Sequence, residues 1–93
     1  MAAVAGIRSA HATLTADTED IVTLSGGGGR AAEIVNQGTD VLYFRVDDVT
    51  VVGAADETEV VLGGERLSVR LGDAGTVNVI SAGTPTYSVI VTS

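Results

Sequence analysis

Side chains able to do acid–base or covalent chemistry are sparse. His11 is the single histidine and cysteine is absent, which excludes thiol nucleophiles and thiolate metal sites. A Ser–His–Asp arrangement needs the imidazole beside an activated serine. Ser9, Ser25, Ser68, Ser81, Ser88 and Ser93 all fall in strand or turn contexts, and none sits in a G-x-S-x-G elbow. His11 lies in an alternating stretch of small residues, the setting of a strand or interface histidine. No catalytic residue is assigned.

Two further stretches invite a chemical account. Gly26 to Gly29 form a glycine run, but a phosphate-binding loop needs a Lys-Ser/Thr pair after its last glycine and then a helix. Here Arg30-Ala31-Ala32 follows, so the run reads as a flexible linker and no cofactor site is assigned. The carboxylates Asp47, Asp48, Asp56, Glu57 and Glu59 are not spaced like an EF-hand loop. Loop carboxylates of sandwiches do bind calcium in some cases, but solvated charge that discourages edge pairing is the simpler account, and no metal ligand is assigned. As a glycosidase pair they would lack a sugar-stacking platform, because Tyr43, Phe44 and Tyr87 are the only aromatic residues. An enzyme is not expected.

The elements that would position these residues are short and extended. Apolar alternation of period two recurs at 8–15, 21–25, 30–36, 41–46, 58–62, 65–71, 76–81 and 86–92, with a further short candidate at 49–52. The clearest is the segment VLYFRV. It puts Leu42, Phe44 and Val46 on one face and Val41, Tyr43 and Arg45 on the other. Leu67, Val69 and Leu71 alternate in the same way with Arg66, Ser68 and Arg70. The 30–35 stretch has helical propensity, but it is brief and follows four glycines. Seven to nine short strands predict an antiparallel β-sandwich, immunoglobulin-like or jelly-roll, spanning 8–93 as one domain behind an apolar N-terminal arm at 1–7.

Composition agrees. Val, Ala, Ile, Leu and Thr dominate, and branched Cβ atoms suit a pleated surface. A chain of 93 residues buries only roughly two thirds of its unfolded surface, and without disulfides association with other subunits is the remaining route to extra stability. A net charge of −7 repels phosphate backbones and anionic lipid, so neither nucleic acid nor membrane is an expected partner. The arm lacks the basic start of a signal peptide and the length of a membrane span.

Three phrases also carry a family resemblance. HATLTADTEDIVTLSG, AAEIVNQGTDVLYFRVDD and GTVNVISAGTPTYSVIVTS resemble small virion proteins of tailed bacteriophages that infect actinobacteria. The matching residues are Val41 to Asp47 and Ile80 to Val89, the likeness runs from His11 to Val91, and it departs at Gly26 to Gly29, where a shorter turn is expected. It implies a head decoration or minor capsid protein on the virion surface, a homo-oligomer expected to be a trimer, with the major capsid protein as partner. A tail or head–tail connector component and a ligand-binding β-sandwich module are the alternatives. Expected interface residues are Ala2, Ala3, Val4 and Ile7 of the arm, Tyr43 and Arg45, and the arginines Arg66 and Arg70.

Overall fold

The computed structural model describes residues 2–24, 30–46, 58–72 and 76–92. Within them lie nine strands: β1 (Ala2–Gly6), β2 (Ser9–Thr13), β3 (Asp20–Leu24), β4 (Arg30–Asn36), β5 (Leu42–Val46), β6 (Glu59–Val61), β7 (Arg66–Gly72), β8 (Thr76–Ile80) and β9 (Thr86–Val91). The 30–35 stretch is extended, because Ala32 and Ile34 face the core while Ala31, Glu33 and Val35 face outward. The strand expected at 49–52, the four glycines and the acidic residues Asp47, Asp48, Asp56 and Glu57 lie outside the described residues.

Pairing is nested. β2 pairs with β9, β3 with β8, β4 with β7 and β5 with β6, all antiparallel. Successive pairs alternate between a four-stranded sheet, ordered β2-β9-β4-β7, and a five-stranded sheet, ordered β1-β3-β8-β5-β6. One long hairpin has thus been wrapped into two facing sheets, which is the jelly-roll member of the two sandwich topologies the sequence leaves open.

The N-terminal segment expected as an arm is part of this frame. Ala2–Gly6 form an edge strand running parallel to β3, with Val4 packed against the core. Gly6 makes the crossing to β2 possible, since a Cβ there would collide with the Ser9 carbonyl.

Between the sheets the interior is filled. Leu14, Val22, Ile34, Leu42, Phe44, Val61, Val77, Val79, Tyr87 and Val89 are all at most 2% exposed. Large side chains such as Phe44 and Tyr87 share this core with the small Ala10 and Ala32. One polar pair crosses this interior: the Tyr87 hydroxyl on β9 donates to the Asp20 carboxylate on β3 at 2.9 Å, joining one sheet to the other. Burial, then the hydrogen bond and the negative charge of Asp20, push the Tyr87 phenol well above its ordinary value.

One end of the sandwich is stapled by hydrogen bonds. Buried Asn36 donates through Nδ2 to the carbonyls of Asp40 and Val61 at 2.7 and 3.0 Å, and its Oδ1 accepts from the Gly38 amide at 3.0 Å. Ser81 donates to the Val41 carbonyl at 2.6 Å and accepts from Gly83, while the Asp17 amide, at a left-handed φ of 56°, reaches the Ser81 carbonyl. Gly64 turns the β6–β7 hairpin with φ of 77°, a region that glycine enters without penalty.

Candidate recognition face

Three surfaces of this frame were candidates for function: the space between the sheets and their two outer faces. The interior is occupied by apolar side chains and by the mutually satisfied Tyr87–Asp20 pair. Among the described residues there is no group of three or more His, Asp or Glu side chains placed to hold a metal ion.

The outer face of the four-stranded sheet is polar and internally bonded. His11 Nδ1 lies 2.5 Å from the Ser88 hydroxyl, whose Oγ is 3.2 Å from Gln37 Oε1. An amide oxygen only accepts, so the serine donates to Gln37 and accepts from a protonated Nδ1. That polarity is opposite to a nucleophilic serine giving its proton to histidine. Thr13 and Thr86 pair at 3.1 Å, and Arg66 meets Glu33 at 2.9 Å. The Arg66 side chain is mostly solvated, so Arg66→Ala should cost less than about 1 kcal/mol in a denaturant titration.

The outer face of the five-stranded sheet has a different character. Backbone alternation on the central strand β8 sends Val77 and Val79 inward and Asn78 and Ile80 outward. In one row across the sheet Asn78 sits between Ile21 of β3 and Arg45 of β5. In the next, Ile80 adjoins Tyr43, which in turn adjoins Val60 of β6. Ile80 is 8% exposed, and Val60 at 38% and Leu62 at 50% extend the apolar surface to the sheet edge. Arg45 is held by its Nε donating to Thr58 at 2.8 Å, which fixes a planar cation beside Asn78.

Asn78 is the unusual member. It is 6% exposed, yet no described residue hydrogen-bonds its side-chain amide. A buried amide without a partner costs on the order of 1–3 kcal/mol.

The expected interface residues are thereby divided. Tyr43 and Arg45 lie on the outer face of the five-stranded sheet, and Ala3 of β1 registers with Ile21 at its margin. Ala2 begins the same strand, and Val4 points the other way into the core. Ile7, 72% exposed, lies in the bend after β1. Arg66 and Arg70 line the opposite sheet, so the set does not form one surface. Sequence reasoning missed Ile21, Asn78 and Ile80. The signal available was the alternation T-V-N-V-I, in which Asn78 and Ile80 share the face opposite two valines.

The nested hairpin defines the class: a double-stranded β-helix of the jelly-roll type found in cupin domains. No family model and no curated protein matches the chain. Among solved structures it is similar to a de novo designed double-stranded β-helix, with TM-score 0.60 and 13% identity over 91% of this chain and 99% of that one. It is similar to PliG of Aeromonas hydrophila, a periplasmic inhibitor of g-type lysozyme, with TM-score 0.59 and 16% identity over 98% and 96% of the two chains. The cupin domain of Drosophila melanogaster CENP-C gives 0.53 and 12% over 91% of this chain and 60% of that one.

These likenesses overturn the phage assignment. The similar structures include cupin domains, a lysozyme inhibitor and an ethanolamine utilization protein, and none of these is a capsid protein, so the capsid-decoration role and the virion location do not stand. The physical reason lies in the residues that suggested them. Val41 to Val46 takes in the whole of β5, and Ile80 to Val89 spans the end of β8, the Ser81 turn and most of β9. These are framework elements of a jelly-roll, and they carry no information about its use.

Proposed function

We propose that the chain is a non-enzymatic binding module that docks on a folded protein through the outer face of its five-stranded sheet. The observation that carries this is the apolar run from half-buried Tyr43 to the exposed Val60 and Leu62, beside Arg45, with the space between the sheets filled by apolar side chains. Tyrosine and arginine set in an apolar surround are the side chains that dominate protein interfaces. Two of the similar folds engage proteins: PliG is an inhibitor of g-type lysozyme, and CENP-C has been solved bound to CAL1.

The test compares two positions on opposite sheets. A photo-cross-linking amino acid replaces Val60 in one variant and Ser68 in another, each irradiated in the cells that make the protein. Position 60 should yield a discrete protein adduct and position 68 none. An adduct from 68 alone, or from neither, would remove the assignment.

A further inference from the structure

We infer that β1 is a hinged latch on the side wall of the sandwich: it opens while the rest of the domain stays folded, and in opening it lets water reach Asp20. Three observations lead there, none of which depends on what docks on the outer face. The first is how little holds the strand. β1 is an edge of its sheet, bonded on one side to β3, and it is the one described strand paired in parallel. Parallel pairing is slightly less stable per residue. Ala3 and Ala5 are exposed, and Val4 is the one β1 side chain packed against the core. β7, an edge of the other sheet, sends Leu67, Val69 and Leu71 there. Elements with few buried apolar contacts open first.

The second is the hinge. The Arg8 carbonyl accepts from the Val91 amide at 2.7 Å, so the chain is anchored from Arg8 onward by β9. Between that anchor and β1 lies Ile7, 72% exposed, and rotation there frees β1 without disturbing the β2–β9 pairing. The third is what the strand covers. Asp20 stands in its sheet between Ala2 of β1 and Val79 of β8, and Tyr87 donates to it from the opposite sheet. With β1 in place Asp20 is 3% exposed. A carboxylate gains from hydration, so loss of its Tyr87 partner favours the open latch.

Thiol labelling of the purified full chain tests this. The chain has no cysteine, so an introduced thiol reports a single position. Val4→Cys and Val69→Cys place thiols at half-buried positions on two edge strands, each packed against the core. A water-soluble maleimide is added to each folded variant at a series of urea concentrations below the unfolding transition. Position 4 should react at least about a hundredfold faster than position 69, and with little urea dependence, because a local opening exposes little surface. Adding Tyr87→Phe should speed position 4 at least about tenfold without urea. Adding Asn36→Ala, which weakens the β4–β6 corner, should leave position 4 unchanged. Equal rates at positions 4 and 69 with the same urea dependence would mean that β1 opens only with the whole domain, and would overturn the inference. So would a position 4 rate that responds no more to Tyr87→Phe than to Asn36→Ala, because β1 would then fray without reaching Asp20.

Discussion

Tyr87→Phe is expected to destabilise the protein by about 3 kcal/mol, lowering the melting temperature by roughly 10–20 °C for a domain of this size. The substitution removes one oxygen and almost no volume, so packing is preserved. What it leaves is the Asp20 carboxylate, 3% exposed, without the hydroxyl that donates to it across the sheets. A buried charge deprived of its partner costs more than the bond itself contributed. Asp20→Asn in the Tyr87→Phe background should recover part of the loss, because a neutral amide is cheaper to bury. A double-mutant cycle on chemical denaturation measures the coupling.

The same pair sets a pH dependence. The folded protein holds the Tyr87 phenol well above the ordinary value of about 10, so folding favours the protonated form. The stabilisation is fully present below pH of about 10. It is lost as pH rises further, where the unfolded chain releases a proton that the folded chain retains. Wild type should therefore lose stability above pH 10 more steeply than Tyr87→Phe, as followed by denaturant midpoints at successive pH values.

Asn36→Ala is the second large effect, expected at about 2–4 kcal/mol. The side chain is fully buried, and its amide satisfies the carbonyls of Asp40 and Val61 and the Gly38 amide at once. It therefore ties the β4–β5 connection to the end of β6. The backbone around it is bonded too, with the Asn36 amide reaching the Glu65 carbonyl and the Gly64 amide reaching the Asn36 carbonyl. Truncation leaves three polar groups unpaired and a small void. Native-state hydrogen exchange should accelerate most at Gly38 and in the β6–β7 hairpin, and little in β2. Uniform acceleration would mean that Asn36 supports the whole fold and not this corner.

The sequence made some of this legible and left the rest hidden, for identifiable reasons. Alternation in V-L-Y-F-R-V and R-L-S-V-R-L placed strands and their faces correctly, because one wet face and one buried face leave a period of two. The order of the strands was not legible. His11 lies against Ser88, a pairing between residues 77 apart, and nothing local encodes it. β1 was read as an arm because A-A-V-A-G has one residue large enough to mark a face. Asp20 follows Asp17 and Glu19, and local composition does not separate the buried acid from exposed Asp17 and half-buried Glu19. Asn36 begins N-Q-G-T-D, which signals a turn but not that its side chain would bind two more connections. Tyr43 and Arg45 were found because they share a strand with an obvious core face. Asn78 and Ile80 were not, since a central strand buries both of its faces and conceals which side chains point outward.

The central claim is that recognition occurs on one outer face and not between the sheets. Chemical-shift mapping tests it most directly. The isotope-labelled chain is observed as the species cross-linked at position 60 is added, or as its own concentration is raised if that species is a second copy. Shifts confined to Ile21, Tyr43, Arg45, Val60, Asn78 and Ile80 are predicted. Shifts centred on Phe44, Val79 and Tyr87 between the sheets, or on His11, Ser68 and Arg70 of the opposite sheet, would contradict it.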